Sequence, residues 1–146
     1  MRTSDGLLVV GGAEGLAGPD DILVKLQASE TGGRWGVAVV TGVPGEGGGT
    51  HLHRAEPEGF FVLEGELELL GASSRTPIGA GTFVLVPPDT EHGLRIVGTG
   101  PARWLAIWPA ALDGFVEEML GIDPEDDASA AEVRIRHGLV QGRDRP

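Results

Sequence analysis

Three histidines and one glutamate near the middle of this chain have the types and spacing to hold a metal ion. His51 and His53 are two residues apart, so on an extended strand both imidazoles point to one face and can converge on one point. Glu58 comes five positions after His53, the wrong parity for an uninterrupted strand. Arg54, Ala55, Glu56 and Pro57 supply a turn that restores it, with Pro57 fixing the backbone before Glu58. His92 offers a fourth donor after the apolar run 82–86 and a turn through Pro87, Pro88 and Asp89. Imidazole and carboxylate donors suit a divalent transition metal, and Fe, Mn, Ni, Co and Zn are all accommodated. Burying four such groups without partners would be costly, which favours the metal over a purely structural cluster. Four donors leave open positions on an octahedral ion. A redox-active ion there brings substrate and dioxygen together, and any of these ions acting as a Lewis acid polarises a carbonyl or enolate. Glu58 is also the candidate to remove a substrate proton.

These residues must be positioned by strands. Residues 22–27 alternate apolar and polar, Thr31, Gly32 and Gly33 make a hairpin turn, and 34–41 return. The Gly-dense segment 45–49 is a loop beside the site and lacks the Lys-Ser/Thr ending of a phosphate-binding loop. Strands are expected at 58–63 and 66–70 across a tight turn at Glu64 and Gly65, with Leu67 and Leu69 facing in. A turn is expected at 72–76, then strands at 82–86, 92–97 and 102–108; the run 7–10 is a further candidate. Closely spaced strands without intervening helices predict an all-β antiparallel sandwich or barrel. If Glu58 points inward, so do Phe60 and Val62; if His92 does, so do Leu94 and Ile96. The expected pocket is a hydrophobic cup with the metal at one end, suited to a small apolar, aromatic or enolic molecule. Trp35, Trp104 and Trp108 are candidates to border it, and Lys25 and Arg34 to meet an acidic substrate group, with packing and solvation the plainer roles.

The same segments resemble the paired motifs of the cupin superfamily. Its first motif is Gly, five residues, His-x-His, three or four residues, Glu, six residues, Gly, and Gly45, His51, His53, Glu58 and Gly65 match every fixed position. In the second motif Gly81, Pro87 and His92 match, whereas Asp89 stands where Gly is usual and Ile96 where Asn is usual. Asp tolerates a left-handed turn, and Ile96 makes the pocket more apolar. The resemblance implies a double-stranded β-helix, or jelly roll, with His51, His53, Glu58 and His92 as metal ligands. It also implies oligomers, most often homodimers built by packing sheets together.

After Pro109 the pattern becomes helical. Leu112, Phe115, Val116, Met119 and Leu120 share one face, and Gly121 ends the helix. Ser129 to Glu132 reads as a capping box opening a second helix closed by Gly138, and 139–141 form a last strand. The expected organisation is a barrel over 1–111 and a helical extension over 112–146, with the first helix packed on the barrel exterior. This ending resembles that of bacterial cupins akin to quercetin dioxygenases.

Composition narrows the function. The chain has no Cys, which excludes disulfides, thiolate metal sites and Cys nucleophiles. A net charge of −11 with no basic stripe argues against nucleic acid. The run 7–10 is too short for a signal peptide or a membrane span, so a cytoplasmic location and no membrane partner are expected. The leading expectation is a metal-dependent, dioxygenase-type oxidoreductase on a small apolar substrate. The alternatives are a non-redox cyclase or isomerase, in polyketide or sugar metabolism for example, and a non-catalytic binding cupin. Phe60, Val62, Leu94 and Ile96 offer little to a sugar.

Overall fold

The computed structural model describes residues 1–18, 21–123 and 125–137, and the backbone of 139–141. The short strands pair into two antiparallel sheets that face each other. One sheet has the order β1 (Leu16–Ala17), β2 (Ile22–Leu26), β3 (Trp35–Gly42), β10 (Ala102–Pro109), β5 (Glu58–Glu64), β8 (Phe83–Val86). The other has β11 (Leu139–Gln141), β4 (His51–His53), β9 (His92–Ile96), β6 (Glu66–Gly71), β7 (Arg75–Gly79). This is the expected jelly roll.

Alternation makes the core. Along β10 Ala102, Trp104, Ala106 and Trp108 are buried, while Arg103, Leu105 and Ile107 between them are half-buried on the outer face. Val24, Ala38, Phe60, Val62 and Val86 join them from the same sheet, and Leu67 and Ile96 from the other. Gly65 turns β5 into β6 with φ +86°, and a Cβ there would lie 2.7 Å from the Pro101 carbonyl oxygen, so the motif glycine has both a conformational and a steric reason. Asp89 takes φ 57°, the left-handed turn expected of it.

Several local expectations change. Residues 7–10 form no strand; Leu8 makes one isolated bridge to Arg2. Arg75 and Thr76, expected in a turn, begin β7 and pair with Leu70 and Leu69. Its exposed polar start, Arg75 to Pro77, hides the strand from an alternation test, because β7 is a sheet edge. On β6 the buried residues are Leu67 and Leu70, with Leu69 half-buried.

The C-terminal segment follows the helical pattern with two corrections. Helix α1 spans Asp113–Leu120 and α2 spans Asp127–Arg136. The cap of α2 is Asp126, whose carboxylate accepts from the Ser129 amide at 3.0 Å, rather than Ser129 itself. Gly138, expected to close this helix, lies outside the described residues. More consequentially, α1 turns its apolar residues toward the cavity between the sheets, with none of them fully buried. Its Val116 and Leu120 pack against the core cluster between the sheets. Asp113 fixes that placement: its carboxylate accepts from the Trp108 indole N–H at 2.9 Å and from the Ala28 amide at 2.7 Å. The second helix is tied to the first by Arg136 and His137, which both bond to Glu118. No described helix is long and apolar enough to cross a membrane.

Asp113→Ala removes both acceptors and leaves two donors in buried surroundings, so it is expected to cost about 1–3 kcal/mol of stability in denaturant titration. An unchanged midpoint would show that this carboxylate does not hold the helix.

Candidate metal centre

The histidines come from one sheet and the glutamate from the other. His51 and His53 lie on β4 and His92 opens β9, directly across the ladder from His51. Facing residues on antiparallel strands stand side by side, so register alone brings these two rings to a centroid separation of 4.5 Å. Glu58 is the first residue of β5, in the six-stranded sheet. The turn after His53 therefore does not restore parity along one strand. It carries the chain across to the opposing sheet, and Glu58 faces the imidazoles from there.

The donor atoms converge. Nε2 of His51 and Nε2 of His53 are 3.2 Å apart, and Glu58 Oε2 lies 3.1 Å from Nε2 of both His53 and His92. Donor atoms from all four residues fall within 4.8 Å of one another. Donors at right angles around an ion with bonds of about 2.1 Å stand about 3.0 Å apart, so these separations fit the edges of one coordination polyhedron. His92 Nδ1–H donates to the Thr90 carbonyl at 2.8 Å, which leaves the Nε2 lone pair facing the cluster. His53 Nδ1 is buried and has no hydrogen-bond partner among the described residues. Glu56 and Glu91 stay outside the cluster, and Glu91 instead accepts from the Thr50 hydroxyl at 2.8 Å.

Charge in the site follows from burial and these contacts. Burial, followed by the charge of His92, lowers the His51 pKa from 6.5 to about 4. Burial pushes the Glu58 carboxyl up, but hydrogen bonds from His53 and His92 outweigh it and hold the group at about 2. Burial also opposes charging His92, yet its bonds to Glu58 and Thr90 raise it. A neutral His51 and an ionised Glu58 at neutral pH are the forms that a cation needs.

A cavity of about 360 Å³ opens onto the four groups. Phe60 and Leu94 line it as expected. Val62 and Ile96, expected beside them, are buried in the core and do not line it. Each lies one pleat further along its strand, where side chains from both sheets fill the interior. Trp104 and Trp108 line the cavity, and Trp108 fits because Gly36 faces it: a Cβ on Gly36 would lie 2.5 Å from the indole ring. Trp35 is exposed on the outer face. Lys25 donates to the Gly11, Gly12 and Glu14 carbonyls and staples the amino-terminal loop. Two wall components have no counterpart in the expectations. Phe115, Val116, Met119 and Leu120 of α1 cover one side of the cavity, and Arg134 of α2 reaches it as well. The helical periodicity marked the apolar face of α1 but not its destination, and nothing in the sequence around Arg134 singles it out.

With this geometry in hand, the relationships of the chain are clear. Residues 38–108, just under half of the chain, match the cupin domain family, and the two sheets have the cupin fold. The chain is 32% identical over 82 residues to the polyketide synthase CurC of Streptomyces cyaneus, covering 56% of this chain and 52% of that one. It is 29% identical over 73 residues to quercetin 2,3-dioxygenase of Bacillus subtilis strain 168, covering 50% of this chain and 22% of the other. It thus spans about half of the first relative and about a fifth of the second. Among solved structures it resembles the polyketide cyclase RemF of Streptomyces resistomycificus, with a TM-score of 0.56 at 18% identity over 64% of this chain and 68% of that one. At that identity the likeness speaks for the fold. Cupins commonly bind a divalent metal, and this one carries a three-histidine, one-glutamate cluster.

The signs of the shifts set a pH dependence for protein stripped of metal. Folded His51 stays neutral while its unfolded counterpart gains a proton below about 6.5, so stability falls as pH drops from about 6.5 to 4. Glu58 adds a further loss between about 4.5 and 2. His92 acts on the other side: its contribution is present below its unfolded value and is lost as pH rises through its raised folded value. The expected result is that His51→Gln flattens the decline between pH 6.5 and 4 in chelator-treated protein. An equally steep decline in the variant would rule out His51 as its source.

Proposed function

We propose that this protein is a metal-dependent cupin enzyme, an oxidoreductase of the dioxygenase type acting on a small aromatic or enolic compound. The carrying observation is the convergence of three imidazoles and one carboxylate at one end of a cavity walled by Phe60, Trp104, Trp108 and α1. His51, His53, Glu58 and His92 would hold the metal. A bound divalent transition metal supplies Lewis acidity and, where it is redox-active, electrons for oxygen chemistry.

The remaining work falls to the chain's own groups. The apolar walls orient a flat substrate and keep water from the reacting atoms. Glu58 takes the substrate proton. It is the one carboxylate among the described residues lining the cavity, and its depressed pKa keeps it ionised. Enolic C–H or O–H groups polarised by a bound ion would suit so weak a base.

A second reading is a non-redox cyclase on a polyketide-type aromatic substrate. It is favoured by the 32% identity to CurC and uses the same cavity, with Glu58 again as the base. The homodimer implied by the resemblance remains a proposal as well. It is supported by Trp35, Phe83 and Leu85, which are 44%, 57% and 66% exposed around one apolar depression on the outer face of the six-stranded sheet.

Elemental analysis of protein purified without chelator or His-tag is expected to find about one transition-metal ion per chain, lost together with thermal stability in His51→Ala. Equal metal content in both proteins would remove the cluster from the proposal. Glu58→Gln is expected to keep part of the metal and lose turnover by about 100-fold or more, with oxygen uptake on flavonol-like substrates as the assay. Turnover under strict anaerobiosis would select the cyclase reading, and full activity of Glu58→Gln would exclude Glu58 as the base. In light scattering the wild type is expected to be a dimer and the double variant Phe83→Ser, Leu85→Glu a monomer; a monomeric wild type would overturn the dimer.

A further inference from the structure

Arg134 is the one Lys or Arg among the described residues that lines the cavity. It projects from the last turn of α2, half-buried, toward a space it shares with His51, Glu58, Phe115 and Met119. Arg2, Arg34 and Arg95 are exposed to solvent, whereas Arg134 is half-buried at the cavity. Arg54, Arg75, Arg103 and Arg136 each pair with a carboxylate. Among the described residues Arg134 has no such partner within ion-pair distance, although its neighbour Arg136 bonds to Glu118 on α1. A guanidinium held in a mostly apolar wall, with its fork unpaired, favours a ligand that brings its own planar anion. In a protein carrying a net charge of −11, a local guanidinium offsets the general repulsion of an anionic ligand.

We propose that Arg134 is a substrate-anchoring residue, and that the compound bound in this cavity is an aromatic or enolic molecule bearing a carboxylate. The carboxylate takes the Arg134 fork while the ring lies among Phe60, Trp104 and Trp108, which directs the remaining part of the molecule toward the His51–His53–Glu58–His92 cluster. The C-terminal extension thereby sets specificity: α1 supplies the apolar cover and α2 the charge. The inference rests on the cavity being the substrate site, as proposed above.

The test is isothermal titration calorimetry of the protein as purified with a matched probe pair, 2-naphthoate and its neutral counterpart 2-naphthamide. The wild type is expected to bind the naphthoate about tenfold more tightly or better, the size of one charge-assisted hydrogen-bonded contact. Arg134→Gln should bring the two probes to equal affinity and leave naphthamide binding intact, and Arg134→Lys should retain part of the preference. The contacts that hold α2 to α1, from Arg136 and His137 to Glu118, are untouched by either variant. A carboxylate drawn instead to a metal in the cluster would give the same wild-type preference, but that preference would survive in Arg134→Gln and overturn the proposal. Equal affinity of the two probes for wild type would overturn it too while leaving the cavity as an aromatic site. Binding of neither probe would overturn both.

Discussion

Glu58 Oε2 sits 3.1 Å from an imidazole nitrogen on each of two neighbouring strands, and those strands belong to the sheet opposite its own. Around this contact the two sheets meet through charge rather than through apolar side chains. A half-buried carboxylate and three buried or half-buried imidazoles are tolerable only with partners, and here each is the partner of another. The strand register on one side and the crossing turn on the other must both be right for the four groups to meet. The rest of the barrel, in particular the apolar core filled by Val62, Leu67 and Ile96, supplies the rigid frame that keeps them there.

From that cluster outward the site is asymmetric. Barrel strands provide the inner wall, through Phe60, Leu94, Trp104 and Trp108. The C-terminal helices provide the cover. The join between these parts is polar and specific: Asp113 bonds at once to Trp108, which itself lines the cavity, and to the backbone at Ala28. The cupin fold is shared by proteins with many chemistries, so the fold by itself does not name the ligand of this chain.

Much of this was readable in the residues alone. The His-x-His pair, Glu58 and His92 were identifiable by type and spacing, and the structure gathers those four side chains and no others among the described residues. Strand positions were legible where one face is buried, as along β10, because burial imposes a period of two. They were lost where burial is one-sided and weak, as at Arg75, Thr76 and Pro77 of the edge strand β7. Inward parity correctly aimed Phe60, Val62, Leu94 and Ile96 into the barrel, but only Phe60 and Leu94 reach the cavity. Parity reports which face a side chain takes and not how far along the strand the interior stays open.

Local chemistry therefore determined the ligand types, the turn at Asp89, the glycine at 65, the helix over Asp113–Leu120 and the absence of any thiol site. These depend on a few adjacent residues and their backbone preferences. Tertiary structure decided that Glu58 approaches from the opposite sheet, that α1 turns its apolar face to the cavity, and that Arg134 arrives beside His51 from more than eighty residues away. Each of these is a meeting of distant segments. It is set by the packing of whole elements, which no spacing within a single segment encodes.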